Sequence, residues 1–302
     1  MAAIRKIKHL MKSIPTLEGA GVHLKRAFGF HQKPNLDPFL LLDDFHGTEP
    51  GQYIKGFPWH PHRGIETITY LLQGSVEHGD SLGNKGIIHS GDVQWMTAGS
   101  GIVHQEMPKG REDGVLWGLQ LWANLPATQK MMQPRYRDVT REQIPTVTAA
   151  PGVKAKILAG ELQGIRGPVR DIVIDPTFLD IEILADAVFT HDLPEDYTVF
   201  AYVLQGNAFF DPNRDPFAYD RQGVNYFDNE HSCLIGAENV VILGEGKRVT
   251  ITAGEQGVHF VLIAGKPLGE PIAWGGPIVM NTREELRIAF EELENGTFLK
   301  QS

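Results

Sequence analysis

Short runs of β-branched, aromatic and aliphatic residues recur along the chain, each closed by a turn rich in glycine or proline. They occupy 66–72, 92–96, 115–122, 169–174, 179–184, 240–243 and 259–264. Many short strands separated by turn signals predict a sandwich or barrel, not a βαβ sheet. One segment changes period. From Thr282 to Glu294 the apolar positions Leu286, Ala289, Phe290 and Leu293 follow helical spacing. Thr282 and Glu285 read as a capping box at its start, and Asn295-Gly296 as its stop. The fold class that follows is all-β with a short C-terminal helix.

The pattern also repeats. Thr69-Tyr-Leu-Leu-Gln-Gly74 is echoed by Ala201-Tyr-Val-Leu-Gln-Gly206, and the run from Gly114 is echoed more loosely from Gly257. An offset of just over 130 residues signals a duplicated domain, not a short solenoid repeat. The expected division is 1–142 and 143–302, with the connection near Arg141–Pro151, where Pro145, Thr146, Thr148 and Pro151 cluster.

Chemistry concentrates in the first copy. His60-Pro-His62 and His104-Gln-Glu106 are i, i+2 pairs in runs that read as strands, so each pair faces one side. Three imidazoles and a carboxylate suit iron, manganese, nickel, copper or zinc. The glycine-rich turn Gly99-Ser-Gly101 precedes His104, and about 40 residues separate the pairs, as suits strands that meet when a barrel closes. Sliding the repeat onto itself places Asp192, Pro194, Lys247 and Val249 where the first copy has the four candidate ligands. One copy would hold a metal and the other would not.

These are the two motifs of the cupin superfamily. The segments His60-Pro-His62-Arg63-Gly64, Gln94–Gly99, His104–Pro108, Asp37–Phe45, Gly265–Pro271 and Gly276–Thr282 narrow the resemblance to the pirin family, over nearly the whole chain. That resemblance implies a bicupin, two double-stranded β-helix (jelly-roll) barrels face to face. The N-terminal cupin domain, 1–142, would hold one transition metal ion on His60, His62, His104 and Glu106. The C-terminal domain, 143–302, would be a degenerate copy without ligands. The metal expected is Fe(II)/Fe(III), with Mn, Ni, Cu or Zn as alternatives. Glu66 matches the glutamate that many other cupins use, and stands behind Glu106 as ligand. It could instead orient a ligand histidine.

Pirins are similar to quercetin 2,3-dioxygenases, which implies a metal-dependent dioxygenase acting on a flavonol or similar enol with O₂. Glu106 would be the catalytic base taking the hydroxyl proton. No further cofactor is implied. Trp95, Met96 and Phe57 are candidates for an apolar pocket or for ordinary core. The rival reading is a metal-redox-sensing regulator that binds a transcription factor or metabolic enzyme.

Composition sets outer limits. A formal charge of -9 with pI near 5.7 gives no basic footprint for direct nucleic-acid binding. The lone Cys233 excludes an internal disulfide and suits a reducing, cytoplasmic setting, with the thiol expected in the core. No apolar run has the length of a membrane span. The basic N-terminus lacks a signal-peptide core and reads as a first strand. A monomer is expected. Among the other histidines, His78 and His89 read as solvated beside turns, and His191, His231 and His259 lack partner spacing.

Overall fold

The computed structural model describes residues 2–30, 35–170, 172–222 and 232–300. The chain forms two compact units: Pro15–Arg141 with Leu268–Ser302, the first unit, and Met1–Ile14 with Glu142–Pro267, the second. Among the described residues, no helix is long and apolar enough to cross a membrane.

In the first unit the strands are β2 (Ile14–Glu18), β3 (Val22–Phe28), β4 (Phe39–Gly47), β5 (Phe57–His62), β6 (Ile65–Gln73), β7 (Ser75–Asp80), β8 (Lys85–His89), β9 (Val93–Thr97), β10 (Ile102–Lys109), β11 (Leu116–Asn124) and β12 (Arg135–Val139). They form one sheet in the order β12-β9-β6-β11-β4-β3-β2 and another in the order β5-β10-β7-β8. Strands β24 (Ala273–Gly275) and β25 (Ile278–Met280) and helix α1 (Arg283–Glu294) return to this unit.

The second unit contains β1 (Ile7–Lys12), β13 (Thr146–Ala150), β14 (Val153–Ala159), β15 (Glu161–Leu162), β16 (Ile165–Arg166), β17 (Thr177–Ile183), β18 (Val188–Asp192), β19 (Thr198–Phe209), β20 (Asp220–Gln222), β21 (Ile235–Gly236), β22 (Asn239–Leu243) and β23 (Arg248–Gly265). Its main sheet runs β13-β14-β17-β23-β19-β22-β1-β20, with β18 also on β23. Alternate residues turn Val153, Ala155 and Ile157, Leu179, Ile181 and Ile183, and Phe260, Leu262 and Ala264 into one apolar core.

The two units meet in sequence between Arg141 and Glu142, and each terminal segment belongs to the unit formed by the other half of the chain. The reason at the N-terminus is sheet completion: β1 pairs antiparallel with β22, His9 opposite Ile242 and Leu10 opposite Val241. At the C-terminus, α1 buries Ala289 against Ile278, Met280 and Phe298. The buried Arg63 guanidinium donates to Phe298 O at 2.7 Å and meets Glu292 at 2.7 Å. The helix itself begins as its sequence dictates, with Thr282 and Glu285 forming a reciprocal capping box. Among the described residues of 169–174 no strand forms. Val169 makes an isolated bridge to Ala159, and position 171 lies outside the described residues.

Candidate metal centre

Strands β5 and β10 are antiparallel neighbours, with His60 directly opposite His104 and His62 opposite Ile102. Opposed residues share a face, so the two i, i+2 pairs aim inward together. Between His104 and Glu106 the register slips, because β5 uses three residues where β10 uses two. That bulge at Pro58 and Trp59 turns the indole of Trp59 outward, leaving it 54% exposed beside a ligand candidate. Glycine permits the next step. Gly64 has φ +77°, and a β-carbon there would lie 2.0 Å from Val279 O.

Ring nitrogens of His60, His62 and His104 lie within 4.8 Å of one another, and no other such group converges among the described residues. Their protonation follows from their partners. His60 Nδ1 is 2.9 Å from Pro58 O, and His62 Nδ1 is 3.1 Å from Pro277 O. A carbonyl only accepts, so both Nδ1 atoms carry the proton and both Nε2 atoms present bare lone pairs. Those Nε2 atoms face each other at 3.1 Å. Two lone pairs at that distance repel unless a cation lies between them. At a metal–nitrogen distance of about 2.1 Å, neighbouring ligands at right angles stand about 3.0 Å apart. His104 is buried, and neither of its ring nitrogens has a protein partner. The donor set fits a transition metal.

Burial, with the neighbouring imidazoles, keeps His62 and His104 neutral. It pushes His62 down to about 3 and His104 well below the ordinary histidine range. Glu106 lies on the same strand and is 7% exposed, but stands outside the converging set. Its Oε1 lies 3.1 Å from Thr69 Oγ1, and burial raises its pKa. Thr69 Oγ1 is also 2.7 Å from the Gln120 side chain. One hydroxyl has one proton. Thr69 therefore gives that proton either to Glu106 Oε1 or to Gln120 Oε1, the two acceptors within its reach.

The other candidates sort clearly. Glu66 is fully buried and accepts from Thr97 Oγ1 at 2.7 Å, with its pKa raised by burial. Trp95 and Met96 are buried, Met96 in an apolar core cluster; Phe57 alone of the three pocket candidates lines the cavity. His78 is not solvated: it is 6% exposed, with Nδ1 bonded to the Tyr136 hydroxyl and Nε2 3.3 Å from Asp138. Its place opposite Glu106 on β7 puts it inside the sheet pair. His89 is exposed, His259 bonds the Asp180 carboxylate, and His231 lies outside the described residues. Cys233 is partly exposed, not in the core.

A cavity of about 420 Å³ opens on His60, His62 and Glu106. Phe30, Phe57, Trp122 and Trp274 give it aromatic walls, and Trp122 meets the His62 ring edge-on at 5.0 Å. Sequence reasoning missed Gln120 and Asp43 in this wall. The available signal was a polar residue at an inward position of each apolar run, Leu-Leu-Leu-Asp43-Asp44-Phe and Gly-Leu-Gln120-Leu-Trp.

Two cupin barrels, with one candidate metal centre among the described residues, define a bicupin. A family model described as pirin matches residues 21–123, and one described as the pirin C-terminal cupin domain matches 178–299. The chain belongs to the pirin family. A pirin-like protein of Caulobacter vibrioides is 37% identical over 296 residues, covering 98% of this chain and 99% of that one. Pirin of Homo sapiens is 39% identical over 298 residues, covering 98% and 94%. The crystal structure of a quercetin 2,3-dioxygenase from Acinetobacter baumannii has a TM-score of 0.84 at 30% identity, covering 98% and 99%.

Proposed function

We propose that this chain is a mononuclear metal-dependent oxygenase of the quercetin 2,3-dioxygenase type, working on a flavonol or similar enol with O₂. His60, His62 and His104 would hold iron, with Glu106 as fourth ligand, and the cytoplasm suits a chain with one cysteine. The observation that carries the reading is the set of three converging imidazoles, two of which, His60 and His62, line an aromatic cavity of about 420 Å³. The resemblance to the Acinetobacter enzyme adds the reaction class.

A bound iron ion supplies Lewis acidity toward an enol oxygen and a redox partner for O₂. The protein does the rest. Pro58 and Pro277 carbonyls hold the Nδ1 sides of His60 and His62, so their Nε2 atoms point inward. Trp122, Trp274 and Phe57 flank a flat ring and keep water from it. Glu106 takes the hydroxyl proton. Burial makes its carboxylate more basic than an exposed one, and Thr69 holds Oε1 so that Oε2 is the oxygen left to act. Oxygen uptake and carbon monoxide release with quercetin and iron-loaded protein test the reading. Undiminished turnover in His104→Ala protein would sink it.

A further inference from the structure

Four neighbouring strands of the first unit carry a polar residue at one register. Arg26 on β3 opposes Asp43 on β4, Asp43 opposes Gln120 on β11, and Gln120 opposes Thr69 on β6. Directly opposed residues share a face, so these side chains form one row. Arg26, Asp43 and Gln120 all line the cavity, and Thr69 carries the row on to Glu106. Along the strands on either side the same face is apolar, with Leu24, Leu41, Phe45 and Trp122.

The fold does not require this row. In the second unit Ala201 stands in the repeat where Thr69 does. Its row reads Ala201, Leu262, Leu179 and Ile157, each opposite the next and each fully buried. Nor does stability require it, because a buried ion pair commonly gains little over apolar side chains of the same size. The inner end of the row already has a use, since Thr69 holds Glu106. The outer end does not. There Arg26 grips both Asp43 oxygens at 2.8 and 2.7 Å and Glu18 at 2.9 Å.

One positive and two negative side chains leave that end with a formal charge of one negative. Each Asp43 oxygen accepts one bond from Arg26 and keeps a second lone pair. Such a group repels a carboxylate or phosphate and accepts a hydrogen bond from a hydroxyl. An ammonium group would put a second cation into a cavity whose other end is built for one. Two inter-strand steps separate Asp43 from Thr69, about 10 Å, which is the reach of one small polycyclic aromatic molecule.

We propose that Asp43, Arg26 and Glu18 form a second recognition point in the cavity, selecting planar enols that carry a phenolic hydroxyl at the end remote from the histidines. This rests on the reading of the histidine cluster as the metal end of an enol site.

The test is an anaerobic titration of protein loaded with redox-inert zinc, followed by tryptophan fluorescence. Quercetin is compared with galangin, the same flavonol with an unsubstituted distal ring. Quercetin is expected to bind at least about tenfold more tightly, the worth of one charge-assisted hydrogen bond. Asp43→Asn should reduce the ratio to less than about threefold while the galangin affinity stays within about twofold. Glu18→Gln, at a half-exposed position that the fold tolerates, should reduce the ratio by about twofold even if Asp43→Asn does not fold. Equal affinities in the unaltered protein, or a ratio unmoved by a folded variant, overturn the proposal and leave the metal-end reading standing. Failure of both flavonols to bind zinc-loaded protein overturns the two together.

Discussion

The same register row is polar in one barrel and apolar in the other, and the metal end follows the same rule. Where the first unit opposes His104 with His60, the corresponding strands of the second oppose Arg248 with Asp192, an exposed ion pair at 2.6 Å. Inside the second unit Val249, Ile251 and Phe189 join the apolar core, and Ile157, Leu179, Leu262 and Ala201 fill it across four strands. One barrel has the interior of a stable domain. The other keeps a cavity, bare imidazoles and a buried ion pair in the same space. Each of those features costs stability, so the difference locates function without any appeal to a name.

The largest expected effect falls on the histidine end. His104→Ala should abolish stable metal retention, a loss beyond the roughly 10–100-fold typical of removing an outer partner. Metal content after dialysis measures it, and equal retention by the variant would break the contrast between the barrels. The next prediction exchanges side chains across the matched row. Leu262→Gln buries an amide with no polar neighbour in an apolar core, and should cost about 3 kcal/mol or more. Gln120→Leu brings the second barrel's chemistry to the first, and should leave stability within about 1 kcal/mol. Denaturant unfolding of both variants decides. Equal costs would mean that the polar row is structural.

Much of this was legible in the sequence because β geometry has a period of two. His60, His62, His104 and Glu106 declare a shared face once their runs are read as strands, and the helix at 283–294 declares its own cap. The Tyr-x-Leu-Gln-Gly repeat revealed the duplication. What was hidden depends on pairing. Nothing local says that Arg26, Asp43, Gln120 and Thr69 share a register, because register is settled between strands far apart in sequence. The same holds for Pro277, whose carbonyl sets the His62 tautomer from 215 residues away. The place of β1 depends on pairing too, since it completes a sheet whose other strands lie beyond residue 141. The register slip opposite Glu106, at Pro58 and Trp59, is likewise a property of two strands together.

Glu106 gives a finer test of the first barrel. Thr69→Val keeps the shape but removes the hydroxyl beside Oε1, and should weaken metal binding by about tenfold. Thr69→Ser should restore it. A competition titration against a chelator reads both, and unchanged affinity in Thr69→Val would detach the polar row from the metal end.

Acid acts with opposite sign on one buried carboxyl in each barrel. In the second unit burial alone would raise Asp180, but hydrogen bonds and charge from His259 and Lys156 outweigh it and bring the carboxyl down to about 2. A depressed carboxyl contributes stability that is present above its unfolded value near 4 and is lost as pH falls through about 2, here about 2 kcal/mol. In the first unit burial dominates and raises Glu66. A raised carboxyl works the other way, since its folded state gains relative to the unfolded one as the pH falls and the group takes up its proton. Between pH 4 and 2 the second unit is therefore expected to lose amide protection before the first. Hydrogen exchange of metal-free protein across that window measures the order, with the strands flanking Asp180, β14 and β23, opening ahead of β6. Earlier opening of β6 would show that the cavity, not the paired carboxylate, sets the weaker barrel.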